Sequence, residues 1–387
     1  MSQFKPDTLA IHGGHGGEEK ERVKNSVTFP IFQTSTFEYP ADSDYDEILY
    51  TRLNNNPNQV LLGQRLAQLE AGEAALVTSS GMAAICSAFY SLFKPGDHVL
   101  VQNGVYGGTH AFITERFKTM GLEYDFIDAY DPKSWQTFLK PTTRAIYVEA
   151  ISNPLILVCD LKAASDFAKQ NKLIAMIDNT FASPINFSPL KHGFDLSFHS
   201  ATKYLNGHSD VIAGAVIGSN ELIASCRKYL NLAGGPLDPH ACFLLERGIK
   251  TLGVRVRQQN SSALAVARFL NIHSQVSQVN YPGLESHPHF ARAKSMFTGM
   301  GGMLSFDLKD GLEATQKLVK NLKLIIHAPS LGGVEFLITR PVASTHAKLT
   351  EVERKKISLS PSLLRLSVGL EDTSDLIDDL AQSLKMI

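Results

Sequence analysis

The chain has 387 residues, of which 44% are hydrophobic and 19% are charged, a composition typical of folded proteins and unlike that of disordered or low-complexity chains. The 37 lysine and arginine residues balance 38 aspartate and glutamate residues, so the net charge of −1 provides no global basic field for nucleic acid or an anionic membrane. At roughly 150 residues per domain, the length predicts two to three domain-sized units.

The first 50 residues are predicted to form an N-terminal arm. Residues 12–26 combine glycines with a dense mixed-charge run, which has too few apolar side chains to order itself. His12 and His15 lie in this run without a third ligand nearby, so we interpret them as loop residues and predict no metal site. The arm also lacks the charged-then-apolar pattern of a secretory signal.

Four cysteines are scattered along the chain without any C-x-x-C pair, at positions 86, 159, 226 and 242. This distribution fits neither a disulfide scaffold nor a zinc cluster. No run is long and apolar enough to predict a membrane span. We therefore expect free thiols in a cytoplasmic protein.

From about residue 60, helical patterns alternate with short apolar runs. Leucines at helical spacing end at Gly72, and an apolar run at 75–77 leads into a second helix that opens with Ser-Ser-Gly-Met. A helix is predicted at 161–170, and further strands are predicted at 98–102, 144–149, 173–177 and 211–217. Repeated strand-helix-strand units predict an α/β domain, in which helices cover both faces of a mostly parallel sheet.

The pattern changes near residue 245, where we place a domain boundary. A long helical pattern occupies residues 239–271. Beyond it, helices are predicted at 313–322 and 375–384, and strands at 302–307 and 363–368. This mixture predicts a smaller C-terminal α+β domain over residues 246–387, after a larger domain over residues 51–245.

Three polar motifs are predicted at the carboxyl ends of strands, where open α/β sheets bind their ligands. Ser80, Gly81 and Met82 open a helix, whose backbone N–H groups and positive dipole end can cradle a phosphate. Asp178 ends an apolar strand and can bond a ligand nitrogen. Lys203 is flanked by hydroxyl residues, and its amine can form an imine with a carbonyl ligand when burial lowers its pKa.

Each motif by itself is more often structural, as a helix cap, a strand-end turn or a surface charge. Together they match the needs of pyridoxal 5'-phosphate: an anchor for the phosphate, an acid for the pyridine nitrogen, and a lysine for the imine. The sequence therefore predicts a site for this cofactor at one edge of the sheet.

The chain resembles the Cys/Met metabolism family of pyridoxal-phosphate enzymes in the run around Lys203, which reads DLSFHSATKYLNGHS over 195–209. Ordered matches extend along almost the whole chain, among them SSGMAAI (79–85), VEAISNP (148–154), IDNTFASP (177–184) and RLSVGLED (365–372). The resemblance implies a fold-type I enzyme in which residues 51–245 bind the cofactor. It also implies that the arm over residues 1–50 contacts a partner subunit.

The resemblance assigns roles to the matching residues around the cofactor. It implies that Lys203 holds the cofactor and later moves protons, while Asp178 keeps the pyridine nitrogen protonated. Tyr106 would stack on the ring, and its hydroxyl would act on the substrate amine or the leaving group. Glu149 lies at a strand end beside this group and receives only a supporting role. The phosphate would be held by Ser80, Gly81, Met82, Ser200 and Thr202.

Further roles concern the substrate and a second subunit. Arg365 would bind the substrate α-carboxylate in a bidentate fork, helped by Ser330 and Asn153. Asn153 would also lie near the cofactor's ring oxygen. Tyr50 and Arg52 would reach the phosphate of a neighbouring subunit, so that each active site needs two chains. The implied assembly is a homo-oligomer, most directly a tetramer.

The implied reaction is carbon–sulfur bond chemistry on sulfur amino acids or activated homoserine. Cystathionine γ-synthase or γ-lyase activity in trans-sulfuration is the leading expectation. Methionine γ-lyase and cystathionine β-lyase are alternatives within the family, and an aminotransferase is an alternative of another reaction class.

Three positions give conflicting indications of which substrate the enzyme uses. Pro329 looks like plant-type γ-synthases, whereas Ala111 looks like methionine γ-lyases. At position 336, where a serine is common in the family, this chain has the larger side chain of Phe336. The sequence therefore leaves the substrate open.

Overall fold

The computed structural model describes residues 4–14, 23–42, 44, 47–344, 347 and 350–387. The strands are β1 (Ala74–Thr78), β2 (His98–Gln102), β3 (Glu123–Ile127), β4 (Thr143–Glu149), β5 (Ile174–Asp178), β6 (Leu196–His199), β7 (Gly214–Gly218), β8 (Val276–Asn280), β9 (Met303–Leu308), β10 (Ile326–His327), β11 (Leu337–Thr339) and β12 (Leu364–Ser367). The helices are α1 (Pro6–His12), α2 (Pro57–Glu70), α3 (Gly81–Leu92), α4 (Gly107–Met120), α5 (Leu161–Asn171), α6 (Ser183–Asn186), α7 (Asn220–Ala233), α8 (Pro239–Ile249), α9 (Leu252–Ile272), α10 (Phe290–Met296), α11 (Gly311–Asn321), α12 (Glu351–Lys356) and α13 (Thr373–Leu384).

Within the described residues, seven strands form the larger sheet, in the order β1-β7-β6-β5-β4-β2-β3. The run β6-β5-β4-β2-β3 is parallel throughout, while β7 is antiparallel to both of its neighbours, β1 and β6. β1 therefore points the same way as β4, β5 and β6, so the carboxyl ends of these strands lie at one edge. The predicted mostly parallel sheet is confirmed.

Alternate residues of the central strands pack into two cores, one on each face of this sheet. In β4, Ile146 and Val148 belong to the first core, whereas Ala145 and Tyr147 belong to the second. Apolar residues of α2 and α5 complete the first core, and those of α3 and α4 complete the second. Helices thus cover both faces of the sheet, as the apolar strand pattern predicts.

A second, smaller sheet lies in the C-terminal part of the chain. Its order is β10-β11-β12-β9-β8, with one parallel pair, β10 with β11, and antiparallel pairing elsewhere. A third core of buried residues joins this sheet to α9, α11 and α13. This arrangement confirms the predicted smaller α+β unit.

Most predicted elements differ from the structure by one or two residues at their ends, and two differ more. The helical pattern over 239–271 is divided between α8 and α9, and Arg255 at the break donates to the carbonyls of Tyr204 and Gly248 at 2.8 and 2.7 Å. The strand predicted from residue 211 begins at Gly214 because the backbone of Ala213 is bonded to the Thr202 side chain. In both cases a long-range hydrogen bond ends the local pattern.

The N-terminal segment is anchored on the larger unit. Leu9 and Ala10 of α1 are buried, and the Arg65 guanidinium donates to the carbonyls of Gly13 at 2.8 Å and Ala10 at 3.2 Å. His15 of the predicted loop pair lies outside the described residues. Across the described part of the chain, no helix has the length and apolar character needed to cross a bilayer.

Candidate active site

A cavity of about 360 Å³ opens at the carboxyl edge of the larger sheet, next to the second sheet. Its walls include every predicted site residue except Tyr50 and Arg52: Ser80, Gly81, Met82, Tyr106, Asn153, Asp178, Ser200, Thr202, Lys203, Ser330 and Arg365. The fold therefore brings together residues that are up to 285 positions apart, since 365 − 80 = 285.

The N-terminus of α3 forms one wall of the cavity. Ser80 is the N-cap, and its Oγ accepts a hydrogen bond from the Ala83 N–H at 3.1 Å. The N–H groups of Gly81 and Met82, in the first turn, have no acceptor within an α-helix. A Cβ at position 81 would lie 2.9 Å from the Ser200 Cα, so only glycine allows the helix to approach the loop after β6 this closely. The cradle suits a phosphate or another anion.

Asp178 stands at the end of β5 and is partly exposed to the cavity. One carboxylate oxygen accepts the Thr180 N–H at 2.9 Å, and the Thr180 Oγ1 accepts the Ser200 N–H at 2.8 Å. Burial raises the pKa of Asp178. The hydrogen bonds from Thr180, and then the electrostatic effect of the nearby His199, oppose that rise. Thr180 was not predicted as a site residue, because its contribution depends on the contact of its hydroxyl with the Ser200 N–H in a different loop.

Lys203 lies in the loop after β6, and its ammonium nitrogen is held at the cavity. The Nζ atom donates to the Ser330 Oγ at 2.8 Å. Burial, and then the positive charge of Arg365, lower the pKa of Lys203 to about 8. Ser330 adopts a φ of +100°, which residues with a side chain rarely adopt. Ser330, with its strained backbone, thus fixes the position of the Nζ atom of the lysine that the sequence predicted to be reactive.

Arg365 extends from β12 of the second sheet and is 2% exposed. Its Nη1 donates to the Asn153 Oδ1 and its Nη2 to the Ser330 carbonyl, each at 2.9 Å. Its Nε has no partner, and it makes no ion pair with a carboxylate among the residues that the structure describes. Burial lowers its pKa to about 10. A buried cation without a counter-ion is costly, so this site is suited to a carboxylate ligand.

Tyr106 stands at the mouth of the cavity with its side chain 42% exposed. It is the N-cap of α4, and its backbone N–H donates to the Glu149 Oε1 at 2.6 Å. A Cβ at position 108 would lie 2.6 Å from the Tyr106 ring, so glycine at 108 leaves room for this ring position.

Three predicted residues have contacts that qualify their expected roles. The Thr202 Oγ1 is bonded to the backbone of Ala213, although Thr202 lines the cavity. Arg52 donates through Nη1 to the Asn231 carbonyl at 2.6 Å and lies 5.5 Å from the centre of the Tyr50 ring. Tyr50 and Arg52 are not among the residues lining the cavity of their own chain.

Comparison with known proteins gives consistent results over the full length of the chain. The family profile of Cys/Met metabolism PLP-dependent enzymes matches residues 7–385. A cystathionine gamma-lyase of Bacillus subtilis is 41% identical, covering 99% of this chain and 100% of that protein. An L-methionine gamma-lyase of Fusobacterium nucleatum is 39% identical, with 98% of each chain covered.

The fold is also similar to a solved structure, that of cystathionine gamma-lyase from Lactobacillus plantarum complexed with L-serine. The TM-score is 0.93, at 36% sequence identity, and 99% of each chain is covered. On the family match and on these identities, the chain belongs to the Cys/Met metabolism PLP-dependent enzymes, whose cofactor is pyridoxal 5'-phosphate.

Proposed function

We propose that this enzyme breaks or replaces a carbon–sulfur bond at Cγ of a sulfur amino acid or an activated homoserine, as a cystathionine γ-lyase or γ-synthase does. The observation that carries the proposal is the pairing of a buried, uncompensated Arg365 with the Lys203 amine, both bonded to Ser330. One group can bind an amino-acid carboxylate while the other handles protons at the adjacent carbon atoms.

The residues present fit the cofactor of the family. The first-turn N–H groups of α3, beside which Gly81 leaves no space for a side chain, can bind a phosphate, and Asp178 provides an acid for a ring nitrogen. When bound, pyridoxal 5'-phosphate supplies an electron sink for the electrons released at Cα of an amino acid. We propose that Ser80, Gly81, Met82, Ser200 and Thr202 hold the phosphate.

Lys203 is proposed as the residue that moves protons. A γ-elimination requires the removal of a proton from Cα and then from Cβ, so the base must serve two neighbouring carbons. With the pKa lowered to about 8, roughly a tenth of the Nζ is unprotonated at pH 7, and Ser330 keeps this atom at the cavity. Tyr106 is proposed to stack on the cofactor ring and to place its hydroxyl near the substrate amine or leaving group.

Arg365 is proposed to bind the substrate α-carboxylate. Asn153 and Ser330 already fix two of its nitrogens, so the guanidinium plane is oriented before the substrate arrives. Asn153 is also proposed to lie near the cofactor's ring oxygen.

Methionine γ-lyase activity is a second candidate because part of the cavity lining is apolar. Ile212, Pro329 and Leu331 are among the lining residues, and Arg365 and Lys203 are the cationic residues among the described lining. An uncharged thioether therefore suits the apolar part of the lining better than a second charged amino-acid group.

A substrate panel tests the proposed function. Cystathionine, methionine, cysteine and O-acylated homoserine with cysteine or sulfide would be supplied to the holoenzyme, and the products identified. We expect release of ammonia and a 2-oxo acid, or a γ-replacement product, from at least one γ-substituted substrate. Turnover of β-substituted substrates alone would contradict γ-chemistry. Amino-group transfer to 2-oxoglutarate would indicate an aminotransferase instead.

The pH dependence of cofactor incorporation tests the state of Lys203. Only the unprotonated amine attacks a carbonyl, and the pKa of about 8 predicts that the rate rises about tenfold per pH unit below this value and levels off above it. The rate of incorporation into the apo chain would be followed by absorbance from roughly pH 6 to 10. A rate that keeps rising toward the ordinary lysine value of 10.5 would show a solvated amine.

We also propose a homo-oligomer, most directly a tetramer, in which Tyr50 and Arg52 complete the site of a neighbouring subunit. The proposal is supported by their position outside their own cavity and by exposed apolar side chains nearby, including Tyr39 and Leu49.

The division into an arm (1–50), a cofactor-binding domain (51–245) and a C-terminal domain (246–387) remains our proposal. A cytoplasmic location is proposed because the four cysteines are unpaired.

A further inference from the structure

Glu149 lies at the cavity, and the proposed function does not use it. The residue ends β4, is 5% exposed, and is paired in register with Asp178 at the end of β5. Within the described ranges, Glu149 makes no ion pair with a lysine, arginine or histidine. Burial, and then the charge of Asp178, raise its pKa well above the usual range. A buried acid beside a second acid is costly, so stability of the fold does not explain a glutamate here.

The carboxyl of Glu149 lies beside two parts of the candidate site. Its Oε1 accepts the backbone N–H of Tyr106 at 2.6 Å, at the start of α4, where the Tyr106 side chain makes no capping bond. The backbone amide of Asn153 also lies near this carboxyl and opposes the rise of its pKa. The side chain of Asn153 in turn accepts the Arg365 Nη1–H at 2.9 Å.

The backbone of Glu149 is itself fixed, because its N–H donates to the Gln102 Oε1 at 2.9 Å. The side chain of Glu149, at the end of a central strand, is therefore hydrogen-bonded to the aromatic residue at the cavity mouth and lies beside the partner of the carboxylate-binding arginine. Tyr106 begins α4, whereas Asn153 lies between β4 and α5, so the two groups belong to separate segments of the chain.

We propose that Glu149 is a positioning residue, which holds Tyr106 over the cofactor site and Asn153 against Arg365, and so aligns the amino-acid substrate between them. This inference rests on the proposed function for the roles of Tyr106 and Arg365. The contacts themselves are independent of the reaction.

The test is a Glu149→Gln holoenzyme. Glutamine has nearly the same shape but carries no charge and has only one acceptor oxygen, so it weakens the contact with the Tyr106 amide, with the nearby Asn153 amide, or with both. We expect faster hydrogen exchange in the peptide that contains the Tyr106 or the Asn153 amide, and a fall in kcat/KM of about tenfold. The melting temperature is expected to stay the same or rise, because a buried ionisable group has been removed. A purely structural residue would lower it.

A Glu149→Asp variant serves as the second test, since it keeps the acid but is one methylene shorter. The same exchange and kinetic defects are expected. In a Tyr106→Phe background, the Glu149→Gln effect on kcat is expected to be smaller than in the wild type, because the two residues act as a unit. The matched control is Glu123→Gln, in the exposed pair of Glu123 with Lys140, and it should leave all these readouts unchanged.

Unchanged exchange and kinetics in both Glu149 variants would overturn the proposal, as would fully additive effects with Tyr106→Phe. A lowered melting temperature with proportionate loss of activity would assign Glu149 to the fold alone. Hydrogen exchange and melting do not depend on turnover. If the wild type acted on none of the sulfur substrates, the proposed function would fail, and exchange would still test the Glu149 contacts.

Discussion

A Lys203→Ala chain is expected to lose covalent retention of pyridoxal phosphate and to lose turnover by a factor of at least ~100. The reason is that Lys203 supplies the amine at the cavity whose pKa is lowered to about 8 and whose position is fixed by Ser330. The measurement is intact-mass spectrometry after borohydride reduction of the loaded enzyme, together with steady-state turnover. The wild type should carry the mass of one cofactor per chain.

Lys162→Ala is a suitable control, because this lysine is 73% exposed on α5 and forms a surface pair with Asp166. It should retain the cofactor and full activity. Retention of reducible cofactor by Lys203→Ala would mean that another amine holds it.

The same variant tests whether active sites are shared between subunits. Lys203→Ala chains would be mixed with Arg52→Ala chains, and exchange of subunits confirmed. The mixture should regain part of the activity if sites contain residues of two chains.

An Arg365→Ala chain is expected to bind its amino-acid substrate far more weakly. Among the residues that the structure describes, no carboxylate pairs with the buried guanidinium, so it can form a bidentate pair with the substrate. Loss of one partner of a buried charged pair costs ~2 kcal/mol or more, which predicts a rise in KM of roughly 30-fold or more. Cofactor retention should be largely preserved. Steady-state kinetics and the reduced-cofactor mass would be measured together.

Arg365→Lys separates charge from geometry, because lysine keeps the positive charge and lacks the planar fork. We expect a KM between those of the wild type and the alanine variant. Arg257→Ala is the matched control, since Arg257 is an exposed arginine in a surface pair with Asp7. An unchanged KM in Arg365→Ala, with folding verified by circular dichroism, would place the carboxylate site elsewhere in the cavity.

The fold class could be predicted from the sequence because its strongest signals are local. The strand His98–Gln102 has the predicted bounds, since all five of its residues are buried around the apolar run Val-Leu-Val. β3, with the sequence EYDFI, was not predicted because it lies at the sheet edge and its exposed Glu123 and half-buried Asp125 weaken the apolar pattern. The break between α8 and α9 was also not predicted, because it depends on carbonyls contacted by Arg255.

Some residues of the candidate site could likewise be predicted from the sequence, and others could not. Lys203, Asp178 and Gly81 stand in short motifs whose order along the chain carries the family resemblance, and the match over residues 7–385 confirms that family. Thr180 and the contacts of Glu149 are absent from any local pattern. Thr180 matters because its hydroxyl connects the loops after β5 and β6, and Glu149 because its carboxylate reaches a different loop, 43 residues away.

The amino-acid sequence alone determined the family and the cofactor, and it predicted Lys203 as the reactive amine, because these depend on residue types at fixed spacings in the chain. Only the tertiary structure decided that Arg365 is buried without a counter-ion among the described residues, that Ser330 is shared between this arginine and Lys203, and that the Glu149 carboxylate is bonded to the Tyr106 amide. The physical reason is that burial, charge compensation and hydrogen bonds between distant loops are properties of the packed chain, and no local pattern encodes them.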